Sequence, residues 1–149
     1  SVNLVTALNH DSFAGGIASV HRDDMYFYSK AMMENRVMYI LAGKAATEIC
    51  YGTVDTGAIS DLKRAFDIVH RFVDDYCSYG FGQFIFDSCV SNEALDRRAS
   101  RVASEMDRFY TKTKQLLIEN KSKLDNLIAR LVAEKTLLGD QVQEIIKCA

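Results

Sequence analysis

The stretch DTGAISDL, residues 55–62, separates two segments of helical patterning and opens the second of them. Glycines at positions 52 and 57 interrupt the pattern, so the stretch predicts a turn followed by a helix over about residues 58–77. The residue that stands out is Asp61, because it lies where the apolar face of that helix begins. Acidic residues on helices usually face solvent, so this carboxylate calls for an explanation.

A helical wheel places Asp61 inside the apolar stripe of the second helix. At about 100° per residue, with Asp61 at zero, the stripe extends from roughly −20° at Ile68 to roughly 140° at Phe66. Asp67 and Asp74 fall on the opposite side, where solvated acids belong. A buried, ionised carboxylate costs several kcal/mol unless a positive group balances it. Two explanations follow: a first-turn acid that interacts with free backbone N–H groups, or a metal ligand.

Outward from this stretch, the pattern predicts a mainly α fold. A segment over about residues 24–50 is apolar nearly all round, which is typical of a central helix. A long helix is predicted over about residues 92–120, and shorter helices follow before and after Gly139, with Asp140 as a cap. The last three helices resemble an up-and-down bundle, and the absence of proline suits long helices.

The N-terminal residues form a different kind of segment. VNLVTAL (2–8) and GGIASV (15–20) are β-prone and flank a polar turn. They predict a small β-hairpin or sheet remnant over residues 1–22, and two strands alone are marginally stable, so they must pack on helices or on further chain. The predicted organisation is a single domain, with metal-ligand helices over 24–80 and a C-terminal helical bundle over 91–149.

Small residues cluster in the first predicted helix at Ala42, Gly43, Ala45 and Ala46. Gly43 costs roughly 1 kcal/mol of helix propensity relative to alanine. Either another backbone approaches closely at this position, or the glycine is simply tolerated. Gly52, at the end of the same helix, is a plausible C-cap.

Composition excludes several classes of function. The chain has 149 residues and a net charge of −2, so no global charge attracts nucleic acid or an anionic membrane. No run of apolar residues is long enough for a membrane span, so this segment is expected to be soluble. The four cysteines form no CxxC pair, which favours reduced thiols. Because the chain starts at Ser1, it is expected to be a piece of a longer protein.

The stretch LAGKAATEICYGTVDTGAISDL (41–62) resembles the peptidase domain of the FtsH-type, ATP-dependent zinc metalloproteases. That family carries a GGRAAEE helix, then FG, then TTGAxxDL, and the matching positions here are 42–48, 51–52 and 55–62. Three further stretches are similar to other parts of that domain, so the resemblance covers nearly the whole chain. They are VTALNHDSFAGGIAS (5–19), FVDDYCSYGF (72–81) and LVAEKTLLGDQVQEII (131–146).

The resemblance implies that Asp61 is the third protein ligand of a catalytic zinc. In the family, the other two ligands are histidines of an HExxH helix, whose glutamate is the general base. This chain contains no HExxH motif, and its histidines are His10, His21 and His70. The motif is therefore expected upstream of Ser1, which leaves the zinc site incomplete and the general base outside this chain.

Further roles follow from the same resemblance. Thr56 and Gly57 would position the turn that aims Asp61, and Glu48 would orient a ligand unless it is a plain ion pair. The strand around Gly16, Ile17 and Ala18 would pair with an extended substrate, unless it makes ordinary sheet contacts only. The sequence departs from the family pattern at Ala42, Lys44 and Asp55, where the family has glycine, arginine and threonine.

For the longer protein, the resemblance implies a hydrolase that degrades polypeptide substrates. The resemblance implies an AAA-type ATPase module that uses ATP, and transmembrane segments, both outside this chain. It also implies that the longer protein forms a homo-hexameric ring on the cytoplasmic face of a membrane. The segment itself is expected to contact neither membrane nor nucleic acid. Alone, it is predicted to be inactive and to bind zinc weakly. The alternative is a non-catalytic helical assembly or interaction module, a relative that lacks HExxH.

Overall fold

The computed structural model describes residues 2–8, 16–20, 28–53, 56–76 and 91–148. The chain divides into two compact units. The helical unit comprises Phe27–Ile118, and the sheet unit comprises the chain up to Tyr26 and from Glu119 onward. His10, His21 and residues 77–90 lie outside the described residues.

In the described part of the helical unit, three helices surround an aliphatic and aromatic core. The helices are α1 (Lys30–Tyr51), α2 (Ile59–Val73) and α3 (Asn92–Glu119), and a 3₁₀ turn at Thr56–Ala58 precedes α2. All three helices contribute to one buried cluster, which the wide apolar stripes of the sequence predict. Its members are Val37, Ile40, Leu41, Ala65, Val69, Phe72, Val73, Val102 and Phe109.

Both ends of α1 are closed by identifiable caps. The Ser29 hydroxyl accepts a hydrogen bond from the Met32 N–H at 3.3 Å, which satisfies a first-turn donor. At the other end, Gly52 adopts a left-handed conformation with φ of 67°, and its N–H donates to the Glu48 carbonyl at 2.9 Å. The C-cap predicted at Gly52 is therefore confirmed, because glycine adopts this conformation without steric cost.

At Gly43, in contrast, no packing contact among the described residues requires a glycine. A Cβ placed at this position would meet no atom within 4 Å among them. The interpretation that another backbone approaches closely here was wrong for the described part of the chain, and the tolerated glycine is the better account.

The sheet unit contains three short antiparallel strands and two helices. The strands are β1 (Val2–Thr6), β2 (Ile17–Val20) and β3 (Thr136–Leu138), in the order β2-β1-β3. Helices α4 (Lys121–Glu134) and α5 (Gly139–Cys148) flank β3 in sequence. Leu137, Val142 and Ile145 form the buried core of this unit, against which Val2, Val5, Leu127 and Leu131 pack.

The third strand corrects a prediction that residues 136–138 belong to a helical bundle. Lys135 ends α4 in a left-handed conformation with φ of 64°, and β3 then pairs with β1 with Val5 opposite Leu137. A hydrogen bond of 2.9 Å between the Thr6 and Thr136 hydroxyls joins the two strands. The chain thereby supplies the partner that the two N-terminal strands needed, from a segment about 130 residues away.

Gly139 shows how closely this returning segment approaches β1. A Cβ built on Gly139 would lie 2.1 Å from the Val2 carbonyl oxygen, a distance that no side chain can occupy. The mainly α fold with a small N-terminal sheet is confirmed. The prediction that the last three helices form an up-and-down bundle was wrong in one respect, since β3 separates α4 from α5.

Candidate metal centre

Asp61 lies in the first turn of α2, at the edge of the buried face of that helix. The buried residues Ala65, Val69, Phe72 and Val73 span about 20° to 120° on the wheel, measured from Asp61. The Asp61 side chain retains 41% of its exposure. The carboxylate is thus half-exposed at the border of the stripe instead of buried inside it, and it needs no buried counter-charge.

Arg64 is the partner of Asp61 in the described part of the chain. Its Nη1 lies 3.4 Å from Asp61 Oδ1, across one turn of α2. Exposed pairs of this kind contribute about 0–1 kcal/mol. Ala58 occupies the N-cap and makes no side-chain cap bond, so the helix N-terminus also favours a negative charge at this position.

A carboxylate in this setting can serve as one of the several ligands that hold a zinc ion. Oxygen donors of Asp and Glu bind zinc at about 2.0–2.2 Å, and a catalytic site uses three protein ligands. Asp61 presents such an oxygen with only a weak protein partner. Within the described ranges, no group of three or more His, Cys, Asp or Glu side chains could hold a metal. Asp61 could therefore supply one of the three protein ligands that such a site needs.

Thr56 and Gly57 lie in the 3₁₀ turn that leads into α2. Both are exposed, while the following Ala58 is buried and anchors the turn to the core. Asp61 follows this turn in the first turn of α2.

Glu48 belongs to a polar cluster between α1 and α3. Its carboxylate accepts hydrogen bonds from Lys114 Nζ at 2.7 Å and from the Tyr110 hydroxyl, and Lys44 Nζ lies 3.8 Å away. Lys44 also donates to the Tyr110 hydroxyl at 2.9 Å and stacks over its ring. The contacts of Glu48 with Lys114 and Tyr110 join α1 to α3, whereas the Lys44–Glu48 pair lies within α1. Among the described residues, none of these contacts involves Asp61.

The cluster shifts the acid–base properties of its members. The hydrogen bonds from Lys114 and Tyr110 lower the pKa of Glu48 below its ordinary value of 4.5, against the opposing effect of burial. The hydrogen bond to Glu48 in turn raises the pKa of Lys114 above 10.5. Sequence reasoning singled out neither Tyr110 nor Lys114. The available signal was the spacing of four residues in both Lys44–Glu48 and Tyr110–Lys114.

The predicted substrate strand lies in the sheet unit. Ile17 and Ala18 begin β2, which is the outermost strand on its side among the strands that the structure describes, and Gly16 immediately precedes it. All three residues are exposed. A Cβ on Gly16 would lie 2.9 Å from the Thr6 carbonyl oxygen, so glycine permits the close approach of β2 to β1.

His70 is exposed on α2 and has no role in a metal cluster of the described residues. Its Nε2 lies 3.0 Å from Asp74 Oδ2, and Arg98 Nη1 of α3 lies 3.6 Å from Asp74 Oδ1. Asp74 is therefore a half-buried link between α2 and α3. The prediction that it is a solvated acid was wrong, because a wheel of one helix does not show the cation that a neighbouring helix contributes.

Comparison with known proteins gives a family match over nearly the whole chain. The family model described as "Peptidase family M41" matches residues 1–145. A curated relative named "ATP-dependent zinc metalloprotease FtsH" from Bacillus subtilis (strain 168) is 29% identical, and the match covers 97% of this chain and 25% of the relative. A relative of the same name from Pelobacter propionicus (strain DSM 2379 / NBRC 103807 / OttBd1) is 28% identical, and the match covers 97% of this chain and 26% of the relative. "ATP-dependent zinc metalloprotease FtsH 2" of Thermoanaerobacter sp. (strain X514) is 25% identical, and the match covers 97% of this chain and 28% of that relative. The chain thus spans about a quarter of the length of these relatives.

Proposed function

The chain belongs to peptidase family M41, and on this premise we propose that it is the C-terminal part of the zinc metallopeptidase domain of a longer, membrane-anchored, ATP-dependent protease. Relatives named as ATP-dependent zinc metalloproteases align with 97% of the chain, which supports the proposal. The structural observation that carries it is Asp61. This carboxylate is half-exposed at the head of α2, and in the described residues only Arg64 contacts it.

Asp61 would hold zinc together with two histidines of an HExxH helix upstream of Ser1. When bound, zinc would supply a Lewis acid that activates water, and a glutamate of the same upstream helix would serve as the general base. Asp61 contributes one oxygen ligand and a negative charge. Because the remaining ligands and the base lie outside the chain, the 149-residue segment alone is expected to be inactive and to bind zinc weakly.

The residues around Asp61 would keep the ligand in place. Thr56 and Gly57 form the turn that aims the first helical turn, and buried Ala58 attaches it to the core. Glu48 would act from further away, because its contacts to α3 fix the end of α1 from which the chain continues toward that turn. A ligand held by packed neighbours loses less conformational entropy on metal binding.

We propose that β2 receives the substrate. Gly16, Ile17 and Ala18 are exposed on the outermost strand of the sheet as far as the described residues show, and an extended polypeptide can add a strand to a sheet edge through backbone hydrogen bonds. Backbone pairing is tolerant of side-chain identity, which suits a protease that acts on many unfolded chains.

The rest of the longer protein is part of the same proposal. An AAA-type module would use ATP to deliver polypeptide substrates, six copies would form a ring, and the protein would lie on the cytoplasmic face of a membrane. Among the helices that the structure describes, none is long and apolar enough to cross a bilayer.

Degradation of an unfolded protein by the longer protein, in the presence of ATP and zinc, tests the proposal. Asp61→Ala is expected to lower the rate at least about a hundredfold, since loss of even an indirect contact to a metal ligand can cost that much. Asp67→Ala, on the exposed side of the same helix, is the matched control and is expected to retain the rate. Equal rates for both variants would contradict the proposal.

A non-catalytic assembly module is the second candidate. Large apolar side chains are exposed on α3 at Leu116 and Ile118 and on α4 at Ile128 and Val132, as expected for surfaces that contact further protein. The codons immediately upstream of Ser1 distinguish the two candidates. An HExxH motif there supports the protease, and a sequence without it supports the module.

A further inference from the structure

Strand β3 has an outer edge whose backbone groups point away from β1. The two strands pair antiparallel, and successive residues of such a strand direct their backbone groups alternately toward the partner strand and away from it. The Lys135 carbonyl accepts a hydrogen bond from the Ala7 N–H at 2.8 Å and therefore faces β1. By this alternation, the backbone groups of Thr136 and Leu138 face outward, and they are termed the β3 edge.

The side chain of Gln141, in the first turn of α5, occupies the outward N–H group of Leu138. Gln141 Oε1 accepts a hydrogen bond from this N–H at 2.7 Å. Gln141 Nε2 donates to Glu134 Oε2 at 3.1 Å, and Glu134 Oε1 in turn accepts from Arg130 Nε at 2.6 Å. Arg130, Glu134 and Gln141 thus form a chain of polar side chains, the edge relay, which extends from the end of α4 to the β3 edge.

An open edge at this position would fit a second copy of the chain. Unpaired N–H and C=O groups of an outer strand are a template for a further strand, and β3 is the outermost strand on its side among those that the structure describes. Leu138 adds an apolar side chain that is 60% exposed. Because antiparallel pairing is compatible with a two-fold axis, the β3 edge is complementary to the same edge of a second copy.

We propose that the edge relay closes the β3 edge and thereby prevents two copies of the chain from pairing through it. A backbone N–H is a single donor, so the bond from Leu138 to Gln141 withholds it from another strand. A bond from the N–H before a helix to the side chain of its third residue also stabilises the helix start. The two effects are separable, because loss of a cap only lowers stability, whereas loss of edge closure creates an interface.

Three variants of the 149-residue chain separate the two effects. Gln141→Ala removes the acceptor, Gln141→Glu keeps an oxygen that can accept from the Leu138 N–H, and Gln143→Ala changes an exposed glutamine of the same helix. Sedimentation velocity from micromolar to millimolar concentration measures association, and the NMR amide signals of Thr136 and Leu138 locate the contact. Urea unfolding gives the stability of each variant.

Gln141→Ala is expected to dimerise with a dissociation constant at least about tenfold below that of the wild-type chain, since pairing provides each copy with a new partner for its Leu138 N–H. Gln141→Glu and Gln143→Ala are expected to associate no more than the wild-type chain. The amide signals of the β3 edge should shift as the Gln141→Ala dimer forms.

Equal association of Gln141→Ala and Gln143→Ala would overturn the inference, and lower stability without association would show that Gln141 acts as a cap alone. A dimer whose signal changes lie outside β3 would overturn it as well. Should Gln141→Ala fail to fold, Glu134→Ala, which breaks the relay but keeps the acceptor, is expected to show the same contact at a lower population, and its absence would count against the relay. None of these readouts involves Asp61, so they are independent of the proposed function.

Discussion

Asp61 and Glu48 are the two acids that the sequence singled out, and the structure gives them different surroundings. Asp61 sits at the edge of the apolar face of α2 with one weak partner, while Glu48 is tied to Tyr110 and Lys114 of α3. The wheel placed Asp61 inside the apolar stripe, whereas the structure places it at the border, because a wheel of one helix gives a direction and not a depth of burial. The partners of Glu48 lie more than 60 residues along the chain, so a single helical pattern could not predict them.

Replacing Glu48 by Gln is expected to reduce stability with a characteristic dependence on pH. The folded pKa of Glu48 is lowered, so its stabilising effect is present above about pH 4.5 and is lost as the pH falls through the lower folded value. The pKa of Lys114 is raised, so its effect is present below about pH 10.5 and is lost as the pH rises through the higher folded value.

Urea unfolding of the wild-type chain and of Glu48→Gln across this range measures the effect. The difference in free energy of unfolding should form a plateau between the two limits and should shrink on both sides. Asp67→Asn, an exposed acid on α2, is the control and is expected to show no such plateau. A Glu48→Gln difference that does not change with pH would contradict the ion-pair account.

At the scale of elements, the helices follow from their patterns and their caps. The predicted span of the third helix agrees with α3 to within one residue, and the C-cap of α1 is where glycine was expected. Strand β3 was missed because three residues between two helical patterns carry almost no periodicity. Its assignment depends on pairing with β1, which is a long-range contact.

Substitution by alanine is expected to change the stability in opposite directions at Gly43, within α1, and at Gly52, the C-cap of α1. Gly43→Ala should raise the free energy of unfolding by about 0.5–1 kcal/mol, since the position is helical and a Cβ meets no described atom. Gly52→Ala should lower it by about 1–2 kcal/mol, because alanine is strained at a φ of 67°. Urea unfolding of both variants checks this pair. Destabilisation by Gly43→Ala would show that a backbone does approach this position.

On the scale of the whole molecule, two units have cores of unequal size. Among the residues that the structure describes, nine buried residues form the core of the helical unit, whereas three form that of the sheet unit. The sequence indicated a mainly α domain with a sheet remnant, but not that the C-terminal segment joins that sheet. Which distant segments pack together depends on contacts that no local pattern encodes.

Native-state hydrogen exchange is expected to reflect this difference. Amides of β1, β3 and α5 should exchange with lower protection than amides in the centres of α1 and α3, because less apolar surface holds the sheet unit together. The check is residue-resolved exchange at neutral pH, with Gly139→Ala as a variant that should lower protection in the sheet unit selectively. Uniform protection across both units would show that the chain opens as one cooperative body.

The central claim is that Asp61 completes a zinc site whose histidines lie upstream of this chain. The most direct test is the zinc content of the longer protein after dialysis against a weak chelator, measured per chain by atomic emission. The account predicts about one zinc per chain for the unaltered protein and for Asp67→Ala, and a large loss for Asp61→Ala. Retention of the full zinc content by Asp61→Ala would contradict it.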